Sequence, residues 1–162
     1  MRPGIVSFTT TIIVVASCSF SRGDDTPSVV NSAGAILGGV AGINVMHEEC
    51  ARHMPDYAPE IERAYNAWWA ANSRDAVEAK LALEHDAHAH FPDPADARRA
   101  LALMDQEILA AEEHLRDGAR RMSDSGLTIE CTDYFSRKIT TDKLNLRKGF
   151  PADFAIIDAA PK

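Results

Sequence analysis

Apolar residues recur at helical spacing along two long segments in the middle of the chain. In the second segment, which begins at Pro94, they alternate steps of four and three residues, as in a coiled-coil seam: Ala97, Leu101, Met104, Ile108, Ala111, Leu115, Gly118 and Met122. The first segment runs from Pro59 to His90, and its apolar face comprises Ile61, Ala64, Tyr65, Trp68, Asn72, Ala76, Ala79 and Leu83. The pattern predicts two long helices, the first either continuous or interrupted at residues 72–73.

The sequence Phe91-Pro92-Asp93-Pro94 separates the two predicted helices. The residue before a proline is disfavoured in the α conformation, so the first helix is expected to end here. Asp93 is a good N-cap and Pro94 a good first residue for the second helix. Long helices joined by such a short turn are antiparallel neighbours. With a shorter helix expected over residues 128–138, the sequence predicts an all-α fold: a long antiparallel helical hairpin plus a short C-terminal helix.

Two of the three cysteines lie almost symmetrically about the predicted turn. Cys50 is 42 residues before Pro92, and Cys131 is 39 residues after it. Folding the chain back at Pro92 brings both cysteines to the open end of the hairpin. We therefore expect one disulfide that clasps the hairpin, which would contribute ~4 kcal/mol by the chain-entropy model or less in practice. Two free buried thiols are the alternative.

The segments on either side of the hairpin lack a clear helical face. Residues 18–46 contain the sequence AGAILGGVAGINVM, in which three glycines are spaced by four: Gly34, Gly38 and Gly42. Because glycine weakens a helix by ~1 kcal/mol relative to alanine, we expect a tether and a flexible Gly-rich linker here. A helix-packing surface is the alternative. The hairpin domain is expected over residues 47–140, and residues 141–162 are expected to form a tail that either docks on it or stays loose.

The first seventeen residues have the features of a signal peptide, because an apolar run over residues 5–16 ends in small residues. The sequence Val15-Ala16-Ser17-Cys18 resembles the lipobox of bacterial lipoproteins, although valine replaces the commoner leucine. The resemblance implies removal of residues 1–17, acylation of the Cys18 thiol and anchoring in a membrane. Ser19, in place of aspartate, implies the outer membrane and a periplasmic location. An ordinary secretory signal with a chance cysteine is the alternative.

The segment CARHMPDYAPEIERAYNAWWAAN, which begins at Cys50, is followed at a distance by a second cysteine. In this it resembles a family of short exported helical proteins of Gram-negative bacteria to which no established activity is attached. The resemblance implies a helical fold clasped by a disulfide. It implies nothing about catalysis.

The charge of the chain limits its partners. The formal net charge of −7 argues against a general nucleic-acid surface. The exception is the segment from Arg137 to Lys148, with five basic residues and one acidic residue. It is expected to be a solvated tail, with binding of an anionic partner or a membrane surface as the alternative.

A small group of metal-ligand types lies near the predicted turn. His85 and His88 are three residues apart and share a helix face, and Glu84 is four residues before His88. Imidazole and carboxylate groups bind zinc or copper, so a weak metal site is one hypothesis and a solvated polar patch is the other. The sequence HEEC at His47 lacks the second histidine of the zinc-protease motif, since Ala51 stands there. No motif of a hydrolase, nucleotide-binding or dinucleotide-binding enzyme occurs in the sequence.

Tyr65, Trp68 and Trp69 offer a candidate surface for a protein partner. Adjacent tryptophans on a helix diverge by about 100°, so one is expected in the core and the other on the flank, either exposed to a partner or covered by the C-terminal segment. We therefore expect a non-catalytic envelope protein that binds another protein, for example an immunity protein or inhibitor. The acidic hairpin would suit a basic partner. A periplasmic metal-binding protein is the alternative function.

Overall fold

The computed structural model describes residues 28–160, and within this range every regular element is helical. The α-helices are α1 (Val29–His53), α2 (Ala58–His90), α3 (Pro94–Arg121), α4 (Asp124–Asp133), α5 (Leu146–Gly149) and α6 (Pro151–Ala159). Two short 3₁₀ turns cover Pro55–Tyr57 and Asp142–Leu144, and one π-helical turn covers Tyr134–Lys138. The predicted all-α fold is confirmed.

Helices α2 and α3 form the two arms of the predicted hairpin. Helix α2 is a single helix of 33 residues, and it is not interrupted at residues 72–73. The Asp93 side chain accepts a hydrogen bond of 2.8 Å from the Ala95 amide and so caps the start of α3. The buried face of α2 follows the predicted spacing and comprises Ile61, Trp68, Asn72, Ala76, Ala79, Leu83 and Ala87.

Helix α1 corrects the prediction for residues 29–46, which are neither a tether nor a flexible linker. The Ser28 side chain caps a 25-residue helix that contains the whole glycine-rich segment. This helix contacts α2, α3, α4 and α6. Its buried residues are Ser32, Ala33, Ile36, Val40, Ala41, Ile43, Val45, Glu49 and Cys50. Burial of an isoleucine or valine contributes ~1.5–3 kcal/mol, so the packing of α1 outweighs the low helix propensity of its glycines.

The direction of α1 follows from its contacts with the two arms. Asn44 accepts a hydrogen bond of 2.8 Å from the Tyr65 hydroxyl on α2, and Glu48 accepts one of 2.8 Å from Arg116 near the end of α3. Gly34, near the start of α1, lies beside Met104, which is earlier in α3. Helix α1 is therefore antiparallel to α2 and parallel to α3, and it begins on the side of the molecule where the α2–α3 turn lies.

The predicted disulfide is present between Cys50 and Cys131, with an S–S distance of 2.06 Å. It joins the last turns of α1 to α4, and both residues are buried. Beside it, the imidazole of His53 lies 3.0 Å from the Thr128 hydroxyl. The bridge fixes the end of α1 at the open end of the hairpin, as the cysteine spacing predicted.

The C-terminal segment docks on the hairpin, which is one of the two alternatives for residues 141–162. The Trp68 indole N–H donates a hydrogen bond of 2.7 Å to the carbonyl oxygen of Leu144. The Leu146 amide donates one of 2.9 Å to Asn72 Oδ1, while Asn72 Nδ2 donates to the carbonyl oxygen of Trp68. Leu146, Phe154 and Ile157 are buried in the same core as the hairpin.

Gly39 in α1 is required because the Phe150 ring packs closely against it. A Cβ atom at Gly39 would lie 2.7 Å from Cζ of Phe150, which stands between α5 and α6. The neighbouring Gly38 has no atom within 4 Å of the same position. The C-terminal segment can therefore pack closely on α1 because position 39 has no side chain.

We predict that Gly39→Ala destabilises the protein by about 1–3 kcal/mol, because the methyl group must displace the packed Phe150 ring. Gly38→Ala is the matched control and should stabilise it by about 0.5–1 kcal/mol, since alanine is the better helix former and nothing obstructs it. Urea denaturation measures both free energies of unfolding. Equal shifts of the two variants would show that Phe150 does not restrict position 39.

We also predict that Asn72→Leu lowers the free energy of unfolding by about 1–3 kcal/mol, because the buried Leu146 amide loses its acceptor. Asn72 is 2% exposed. Asn66→Leu, at an exposed position of the same helix, should change stability by less than about 0.5 kcal/mol. Hydrogen exchange should also accelerate at the Leu146 amide in the first variant. An unchanged exchange rate there would contradict the assigned role of Asn72.

Candidate functional site

An open groove of about 360 Å³ lies where α1 meets the two arms of the hairpin. Apolar side chains from all three helices form its floor and walls: Leu37, Val40 and Ala41 from α1, Leu83 from α2, and Leu101 and Ile108 from α3. The remaining lining residues are polar and stand at the rim: Asn44, Lys80, Glu84, Asp105 and Glu112. This combination of an apolar floor and a charged rim is typical of a binding site for another molecule.

Helical spacing explains why these residues share one groove. On α1, the lining positions 37, 40, 41 and 44 follow the i, i+3, i+4, i+7 pattern of a single helix face. On α3, Leu101 and Ile108 belong to the apolar seam and are two turns apart. Both residues remain half-buried, because no further helix among residues 28–160 covers them on the groove side.

The rim of the groove is acidic. It carries three carboxylates, from Glu84, Asp105 and Glu112, against the single ammonium group of Lys80. Glu112 lies 3.6 Å from Arg116. Among residues 28–160, Lys80, Glu84 and Asp105 take part in no ion pair. The rim thus carries net negative charge that this part of the chain does not neutralise.

A polar network fixes one end of the groove. The Tyr65 hydroxyl bonds to Asn44 Oδ1, and the Tyr65 ring stacks on His47 with 4.1 Å between ring centroids. His47 Nε2 in turn lies 2.7 Å from a carboxylate oxygen of Glu62. That hydrogen bond lowers the pKa of Glu62, and burial raises the pKa of Tyr65. Asn44 Oδ1 keeps a second acceptor site, and the amide N–H groups of Asn44 are donors that it can also offer to a ligand.

The three aromatic residues predicted to bind a partner have different environments. Trp68 is buried beneath the C-terminal segment, and Tyr65 is half-buried in the network around Asn44. Both side chains contribute to the packing of the fold, as expected for one of the two adjacent tryptophans. Trp69 is 38% exposed. It lies eleven residues before Lys80, or about three turns, so it shares the groove side of α2.

The histidine cluster does not assemble a metal site in the described part of the chain. Within residues 28–160, no three histidine, cysteine, aspartate or glutamate side chains are grouped so that they could hold a metal ion. Glu84 lines the groove, whereas His85 and His88 are exposed. The geometry therefore gives no support to the hypothesis that Glu84, His85 and His88 bind zinc or copper.

The basic segment from residue 137 to residue 148 is largely neutralised within the fold. Arg137 and Lys138 both pair with Asp133, and Lys148 pairs with Asp142. The segment is ordered on the hairpin instead of forming a solvated tail, and it offers little free charge to an anionic partner.

Arg147 makes the most extensive of these pairings. It lies 2.9 Å from Asp75, 2.5 Å from Glu78 and 3.0 Å from Asp158, and its guanidinium stands 4.5 Å from the centre of the Phe154 ring. The hydrogen bond with Asp158 raises the pKa of Arg147. This residue ties α5 and α6 to the side of α2 that faces away from the groove.

Two predictions concern the membrane. Cys18 and the rest of the predicted signal peptide lie outside the described residues. Among the described helices, α1 alone is long and apolar enough to cross a membrane by length and composition, and 39% of its most apolar window is buried inside the fold. A central core helix satisfies the same criterion, and the contacts of α1 with four other helices place it in that class.

In comparisons with known protein families, curated proteins and solved structures, no match to this chain was found. The function is therefore inferred from the geometry of the chain itself.

Proposed function

We propose that this chain is a non-catalytic, exported envelope protein that binds another protein through the groove. The observation that supports this most directly is the apolar floor surrounded by Glu84, Asp105 and Lys80, whose charges have no ion-pair partner within residues 28–160. An apolar floor gains free energy when a partner covers it, and the unpaired rim charges select the partner by its charge.

The charge of the chain favours a basic partner. The formal net charge is −7, and the rim has more carboxylates than basic groups. Such complementarity raises the association rate, and the rate falls as salt concentration rises. An immunity protein or inhibitor that neutralises a basic toxin in the periplasm is one concrete form of this function.

We further propose that Cys18 carries the lipid of an outer-membrane lipoprotein. Helix α1 begins on the side of the hairpin turn, and Ser28 at its N-cap is ten positions after Cys18 in the sequence. Ten extended residues span at most ~35 Å. An acylated Cys18 would therefore hold the N-cap of α1, on the turn side of the hairpin, within ~35 Å of the membrane surface.

The groove function is tested with a photocrosslinking residue at Leu109 or at Leu103. Both side chains are on α3 and equally exposed, at 62% and 63%. Leu109 lies about 40° from Asp105 around the helix, beside the groove, whereas Leu103 lies about 160° from Asp105. We predict a discrete protein adduct in cells from position 109 that is absent from position 103. The adduct should disappear when Asp105→Lys is added.

Adducts of equal yield from both positions, or no adduct from position 109, would contradict binding through the groove. The Asp105→Lys variant must keep wild-type thermal stability. If it does not, Asp105→Asn replaces it, because that change removes the charge with little change in side-chain volume.

Lipidation is tested with Cys18→Ala. We predict that this variant no longer incorporates labelled palmitate and is lost from the outer-membrane fraction. Ser19→Ala is the control and should retain both the label and the membrane location. Unchanged fractionation of Cys18→Ala would show that the cysteine is not the attachment point.

A further inference from the structure

We propose that the groove binds a single amphipathic helix of the partner, with lysine or arginine residues beside its apolar face. The inference rests on the proposed function and specifies which structural element of the partner enters the site. It follows from the shape of the groove, its length, the apolar residues on its banks and the placement of its charges.

The shape of the groove matches a helix. Its three sides are helices, and a fourth helix laid along them would pack its apolar stripe between side-chain ridges, as in a helical bundle. Residues 28–160 contain no strand, so they offer no sheet edge to which an extended segment could add. Of the two modes in which a bound peptide adopts regular secondary structure, strand addition and helix-in-groove binding, this surface supports the second.

The length of the groove sets the length of the bound element. On α3 the lining runs from Leu101 to Glu112, which spans ~16 Å at the helical rise per residue. This corresponds to about three turns, or roughly eleven residues, of a bound helix.

Exposed apolar side chains extend the contact surface beyond the floor. Val77 on α2 is 52% exposed and lies about 20° from Glu84 around the helix, on the bank of the groove. Leu109 occupies the corresponding position on the α3 bank. A helix in the groove would cover both side chains together with the partly buried Leu37, Leu101 and Ile108 beneath it. Clustered apolar exposure of this kind marks an interaction surface.

The carboxylates on the rim of the groove determine where the bound helix should carry its basic residues. Asp105 and Glu112 are seven residues apart on α3, so their carboxylates are separated by two turns, or ~10 Å along the groove. A basic residue on one flank of the bound helix can therefore face Asp105, and one seven residues further along can share Glu112 with Arg116, which lies 3.6 Å from it. A second copy of this chain would bring another net charge of −7 to the same surface, so charge repulsion disfavours it as the occupant.

The test uses the protein as exported by cells and three synthetic 18-residue peptides. The first has leucines at i, i+3, i+4 and i+7 with lysines on both flanks. The second has the same composition in scrambled order, and the third replaces lysine with glutamate. We expect only the first to bind with a Kd of tens of micromolar or below, as measured by calorimetry, and to become helical on binding by circular dichroism.

Two charge reversals on α3 locate the binding site. Asp105→Lys should weaken binding of the first peptide by about tenfold or more, because it places a cation beside the basic flank. Glu107→Lys makes the same charge change on the opposite side of the helix, and it should alter the affinity by less than about twofold. Equal effects of the two reversals would overturn the proposal, since binding would then depend only on net charge.

Other results would also overturn it. Equal binding of the scrambled peptide, or no binding of the first peptide at about 1 mM, would exclude an amphipathic helix as the ligand. Self-association that depends on Leu109 would assign the groove to a second copy, and a crosslink from Leu109 to residues 1–27 would assign it to the chain's own N-terminal segment. If no peptide binds while the cellular adduct from Leu109 persists, the groove binds a protein through a different element. If both are absent, the proposed function itself fails.

Discussion

The burial of α1 between the arms of the hairpin is the constraint on which the rest of the structure depends. Helix α1 contacts α2, α3, α4 and α6, and its buried side chains lie in the same hydrophobic core as those of the other helices. Both of its ends are fixed: Ser28 caps the first turn, and Cys50 is bonded to Cys131 near the last. A two-helix hairpin alone would expose its apolar seam to water. With α1 in place, that seam is covered over much of its length.

The environment of α1 differs between its two sides. On one side Phe150 packs directly on Gly39, and Arg147 holds the C-terminal helices against α2 through three carboxylates. On the other side Leu37 remains only partly buried next to the buried Val40, and both residues line the groove. The fold therefore closes the core on one side with its own C-terminal segment and leaves it open on the other.

The sequence was sufficient to predict the hairpin and the disulfide. The seam of α3 and the buried face of α2 have strong helical periodicity, and the turn carries both a helix breaker and an N-cap. Because long helices have a fixed rise per residue, the nearly equal distances of Cys50 and Cys131 from Pro92 were enough to pair them. These features are local, or follow from helix geometry alone, and so they can be derived without knowledge of the tertiary packing.

The features that were missed depend on contacts between distant residues. Glycine propensity suggested a linker over residues 33–46, although Ala33, Ile36, Val40 and Ile43 recur at steps of three and four residues, which is the signal of a buried helix face. The docking of the C-terminal segment depends on side chains of α2 that bond to its backbone more than seventy residues away. The groove could not be predicted either, because it requires α1 to be placed between the arms.

The side of the molecule covered by the C-terminal segment and the side with the groove also differ in their ion pairs. Basic residues of the C-terminal segment find carboxylates within the fold, and Glu49, although buried, pairs with Arg52 and Arg120. Glu84 and Asp105 have no ion-pair partner in the described part of the chain, and they stand beside the partly exposed apolar side chains of the groove. Solvent alone can accommodate exposed carboxylates, but it does not stabilise the exposed apolar surface between them. The apolar side chains of the groove are therefore the stronger support for the proposed partner, and the carboxylates are the reason to propose a basic one.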